Sequence, residues 1–119
     1  MKRCNPKGKM KVDQKGHTTI IKDTQGDVNS FLDKVTNEYG SFKNKNLILD
    51  ISNDKNIELN HIISFLFLSN KHRKAKKSFV IVVSDFDFNE VPDEMIVVPT
   101  VLEAHDIIEM EEIERDLGF

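Results

Sequence analysis

Two short stretches of this chain have no polar side to turn to water. Residues 46–52 read NLILDIS and residues 78–84 read SFVIVVS. A strand with one wet face alternates apolar and polar residues. An unbroken apolar run fits a strand covered on both faces, the habit of parallel sheets. Parallel neighbours need long crossovers, usually helical. A chain of 119 residues suits one such domain, on a scale of about 100–200 residues per domain. Asp50 interrupts the first run near its end. A carboxylate there is either a turn-former facing solvent or a site residue, and the turn role is favoured because Asp commonly bonds its own backbone two residues on.

The flanking segments supply the crossovers. Lys9–Val12 and His17–Lys22 predict an opening hairpin around Gln14, Lys15 and Gly16, with glycine supplying the positive φ of a tight turn. Asp27 is the expected cap of a first helix. Its apolar positions Val28, Phe31, Leu32, Val35, Tyr39 and Phe42 keep a period near 3.6 residues, and Gly40 should end or loosen it. A second helix opens within residues 57–61, with Asn60 as cap and Asp54 or Asn56 as earlier options. Leu59, Ile62, Ile63 and Leu66 form its stripe. Phe65, Phe67 and Leu68 widen it so far that the helix is either deeply buried or carries an exposed apolar face. Pro92 limits residues 85–93 to a loop or a turn or two of helix, and Met95–Val98 is a further strand. Thr100 and Glu103 have the spacing of a capping box. They open a last helix whose expected apolar side is Val101, Ala104, Ile107, Ile108, Met110, Ile113 and Leu117, with Gly118 as its stop. This order of elements predicts an α/β domain over residues 10–119, built on a mixed sheet of four to five strands flanked by helices.

Charge is distributed unevenly. The net charge is −3, but residues 1–83 carry +8 and residues 84–119 carry −11. Such asymmetry fits two faces of opposite sign, or an acidic last helix folded against a basic patch. Residues 1–9 read as a basic appendage, either a mobile tail or the product of an upstream start. The first sixteen residues hold six Lys/Arg and lack the apolar centre of an export signal. With a single cysteine, Cys4, no internal disulfide can form, and the expected compartment is the cytoplasm. The longest nearly apolar stretch, Ile62–Leu68, is far short of the roughly 20 residues of a membrane span, so no membrane association is expected.

No catalytic pattern emerges. His17, His61, His72 and His105 have neither HxH nor HExxH spacing. Asp85, Asp87, Glu90 and Asp93 lack the spacing of a calcium loop. The glycines are too dispersed for a phosphate loop, and the serines lack the glycines of a nucleophile elbow. The chain therefore reads as a non-enzyme without a cofactor or a metal. One patch invites phosphate contact: Lys71, Arg73, Lys74, Lys76 and Lys77 fall within seven positions, which fits weak nucleic-acid binding or a solvated helix end.

A strand ending in LILDIS, a helix soon after it, a basic helix end, SFVIVVS, and VVPTVLEA opening the last helix together resemble the STAS domain. That module is shared by anti-sigma-factor antagonists and the cytoplasmic tails of sulfate transporters, and the resemblance spans about residues 10–119. It implies a non-catalytic regulatory module that binds a protein partner through the start of its second helix. In the antagonists that start carries Asp-Ser-Ser-Gly, and its second serine is phosphorylated to break the contact. The matching residues here are Glu58-Leu59-Asn60-His61, so partner contact is expected at Glu58, Asn60, His61 and nearby Phe65. Asn60 at the acceptor position has no hydroxyl, so the phosphorylation switch does not carry over. Residues 69–119 are also similar to small bacterial chains bearing the label ribonuclease Z. The true enzyme is a far larger metallo-β-lactamase fold with an HxHxDH zinc motif, which this chain lacks. That likeness implies at most an accessory of tRNA 3′ processing, meeting the RNA or the nuclease.

Overall fold

The computed structural model describes residues 10–24, 26–52, 54, 57–84, 86 and 88–118. The expected basic tail with Cys4, and Asp85 and Asp87 of the acidic loop, lie outside the described residues.

Five strands form one sheet in the order of the chain. β1 (Met10–Lys15) and β2 (Thr18–Asp23) make an antiparallel hairpin. β3 (Asn46–Asp50), β4 (Phe79–Val82) and β5 (Ile96–Val98) then add in parallel, with Ile20 opposite Ile48, Ile48 opposite Val80 and Val80 opposite Ile96. The α/β class and the mixed, helix-flanked sheet are as the sequence predicts. The hairpin turn is Gly16-His17, one residue later than expected. Gly16 has φ +61°, and glycine in the first central position is the type II′ pattern that suits strand twist.

Strands that add in one direction with right-handed crossovers carry their helices to one face. That face holds α1 (Val28–Asn37), α2 (Tyr39–Phe42), α3 (Leu59–Ile63) and α4 (Leu66–Lys74). Side chains alternate along each strand. Leu47, Leu49, Phe79, Ile81 and Val83 join Ile21, Phe31, Val35, Ile62 and Phe65 in this larger core. Ile48, Val80, Val82 and Val98 point the other way and are covered by Ala104 and Ile108 of α5 (Val101–Asp116). Every residue of β3 and β4 is thereby buried, the reason their sequences show no alternation.

Two helices differ from expectation. The first breaks at Glu38, before Gly40, yet its stripe stays in register and Val28, Phe31, Val35, Tyr39 and Phe42 are buried. The second breaks at Ser64-Phe65, where Ser64 turns its hydroxyl back to the Asn60 carbonyl (2.8 Å), a bond that competes with regular helix. The segment 88–90 makes one 3₁₀ turn, within the predicted limit. α5 starts as predicted, the Thr100 hydroxyl accepting from the Glu103 amide (3.1 Å). The Glu103 carboxylate, however, takes the Thr100 hydroxyl proton (3.1 Å) instead of the backbone. Its buried side is narrower than expected: Met110, Ile113 and Leu117 are exposed. No helix among the described residues is long and apolar enough to cross a membrane.

Candidate functional site

The carboxyl ends of parallel strands are where an α/β sheet gathers its loops and presents side chains. Here the β2–α1 loop brings Asp23, Gly26 and Asp27, and the β3–α3 loop brings Asp50, Ser52, Asp54 and Glu58. The two loops touch: a Cβ built on Gly26 would meet Asp54 Oδ1 at 3.8 Å.

Asp50 is the turn-former. Its Oδ1 accepts the Ser52 amide (2.9 Å) and the Ser52 hydroxyl (2.6 Å). It is 6% exposed, so it faces the protein and not solvent, because the crossover folds back over the strand end. Asp54 is the unusual group. Both its oxygens are shut off from water, and they lie beside the buried Asp23 carboxyl. Burial first, then the hydrogen bond and charge of Asp23, then the charges of Asp27 and Asp50, push the Asp54 carboxyl up to about 7. Asp27 moves the opposite way. The Ser30 amide and hydroxyl bond to it and hold its carboxyl below the usual range. Among the described residues no group of three or more His, Cys, Asp or Glu side chains could hold a metal ion.

The expected partner surface opens from the same edge. Glu58, not Asn60, is the cap of α3, with extended backbone at φ −116° and ψ 165°. Its amide donates to His61 Nδ1 (2.9 Å). Glu58 and Asn60 are exposed and His61 is half-buried. Phe65 is a correction: it is fully buried, its ring centre 6.4 Å from that of Phe31, and it offers no surface for contact. The break at Ser64-Phe65 turns it inward and leaves Phe67, 79% exposed, on the surface.

The basic run is not one patch. Lys71 lies over the Tyr39 ring, 5.0 Å from its centre. Arg73 turns to Glu111 (3.5 Å). Lys74 and Lys76 are exposed, and Lys77 is half-buried. His72, in the middle, is fully buried. Its Nε2 contacts the Lys45 carbonyl and its Nδ1 the Tyr39 hydroxyl, both at 2.7 Å. A carbonyl only accepts, so Nε2 carries the proton and Nδ1 accepts from Tyr39. Burial lowers the His72 pKa, and the ring is neutral.

The sequence reading missed the Asp23–Asp54 pair. Its signal was present, an aspartate closing one strand and another just past the next, but only the adjacency of β2 and β3 joins them. No family model matches the chain, and no curated protein matches it.

Proposed function

We propose that this chain is a non-catalytic, STAS-like protein-interaction module of the cytoplasm, holding a partner protein with the surface around Glu58, Asn60 and His61. The observation that carries the reading is the opening turn of α3. It emerges at the carboxyl edge of the parallel strands with Glu58 and Asn60 turned to solvent. Phe65 supports that turn from below. Binding is not governed by phosphorylation of residue 60, since an amide stands there. The decisive experiment uses the full chain immobilised in an extract of its own cells, with captured proteins identified by mass spectrometry. One defined partner is expected, lost in Asn60→Arg. Partner capture undiminished in that variant rejects the site.

A second reading rests on Lys74 and Lys76, which are exposed and form no salt bridge among the described residues. It makes the chain an RNA-contacting accessory of tRNA 3′ processing. A salt-sensitive gel shift with tRNA, abolished by charge reversal at Lys74, Lys76 and Lys77, is its expected result. Absence of a shift at low salt eliminates it.

A further inference from the structure

α5 is apolar on two opposite sides. Ala104 and Ile108 pack on the sheet. Leu102, Met110, Ile113 and Leu117 are 73%, 62%, 54% and 67% exposed. At about 100° per residue these four fall in an arc of about 80°, centred directly opposite Ala104 and Ile108. Seven large apolar side chains are exposed among the described residues, and four of them lie on this stripe. Scattered apolar residues on a surface need no explanation, but four gathered on one arc of one helix do.

The charges around the stripe select its occupant. On one side run Glu109 and Asp116, on the other Glu103 and Glu114, and Asp106 sits between. Asp106, Glu109, Glu114 and Asp116 are exposed and have no ion-pair partner among the described residues. The one Arg of the helix, Arg115, points inward to Asn46 and Ser78. Two α5 helices brought face to face would set like charges against each other, which opposes a symmetric pair. An anionic lipid surface or nucleic acid is opposed for the same reason. A helix with an apolar face and Lys or Arg at its margins satisfies both the stripe and its rims.

We propose that the outer face of α5 is a docking surface for a cationic amphipathic helix of a partner protein. The surface lies on the opposite face of the sheet from α3, so it stands apart from the site above and survives that site's failure. The competing occupant is a second copy. α4 presents Phe67, Lys71 and Lys74 at helical spacing, with Phe67 79% exposed. Because α4 and α5 cover opposite faces, such contacts between copies would extend as an open stack instead of closing.

The test titrates the full chain into a labelled synthetic helix of about five turns, leucine on one face and lysine at the margins, read by fluorescence anisotropy. Binding is expected, weakening as salt is raised. Ile113→Glu should weaken it about tenfold or more. That variant adds negative charge, so purely electrostatic attraction would strengthen instead, and its loss isolates the stripe. Ile113 is more than half exposed, so circular dichroism should show the native fold. Leu117→Glu serves if it does not. Phe67→Glu should leave binding unchanged. No binding, equal binding of a leucine/glutamate helix, or binding intact in both stripe variants overturns the proposal. So does sedimentation showing self-association that is lost in Ile113→Glu and in Phe67→Glu alike.

Discussion

His72 stands within a run of five Lys and Arg residues yet is itself neutral, held between the Tyr39 hydroxyl and the Lys45 carbonyl. Tyr39→Phe leaves a buried ring nitrogen without its donor, so stability measured by urea denaturation should fall by about 1–3 kcal/mol. Because burial lowers the folded pKa of His72, its contribution is complete above the unfolded value near 6.5 and is lost as pH falls from there through the lowered folded value. Asp54 acts in the other direction. Its folded pKa is raised to about 7, so its contribution is complete below the unfolded value of 3.8 and is lost as pH rises through about 7. Asp54→Asn keeps a donor toward Asp23 without needing a proton. Its melting temperature should exceed the parent's at pH 8, and the gap should shrink steadily as pH falls toward 3.8. Equal melting curves at pH 8 would refute the upward shift of Asp54. Lys76 carries φ +67° in the turn that closes α4, where its amide bonds the Arg73 carbonyl and that of Lys77 bonds the His72 carbonyl. Glycine meets this left-handed position without a Cβ penalty. Lys76→Gly should raise stability by about 1 kcal/mol. Residue roles set by neighbours in sequence, such as the caps Asp27 and Thr100, were legible. Phe65 and Phe67 were not told apart, because the break at Ser64 alters the phase between them.

α5 joins the sheet by two different means along its length. Its first half packs Ala104 and Ile108 on Val80, Val82 and Val98. Its second half meets the amino ends of β3 and β4, where Asn46 donates to Glu112 (2.8 Å) and Ser78 Oγ donates to Glu111. Asn46 also takes the buried Ser78 amide (2.9 Å). Half of the acidic helix is thus folded against polar and basic groups, including Arg73, and half faces outward. Asn46→Ala strips the Ser78 amide of its partner and should cost about 1–3 kcal/mol in chemical denaturation. Thr100→Ala removes the cap and should cost about 1 kcal/mol. The extent of α5 was readable from its cap and Gly118. Its buried side was not, because the helix has two apolar stripes and periodicity does not say which one meets the sheet.

Among the described residues the molecule is a sheet that grows in one direction, with four α-helices on one face and a single α-helix on the other. That asymmetry makes α5 the sole cover of Ile48, Val80, Val82 and Val98 among the described residues. Removing residues 101–119 should expose this apolar face and give an aggregated chain by size-exclusion chromatography. A monomeric, cooperatively melting product would contradict the second core. The carboxyl edge and the outer face of α5 lie on different parts of this frame, so one can be altered without the other.

Local patterns were enough to announce the two dry strands, the capped helix starts, the α/β class and the mixed sheet, because burial on both faces and capping are written in consecutive residues. The pairing of Asp23 with Asp54, the inward turn of Phe65, the neutral His72 within a basic run and the outward stripe of α5 belong to the assembled molecule. Each depends on groups far apart in the chain arriving at one place, and side-chain periodicity carries no information about which distant surface a segment will meet.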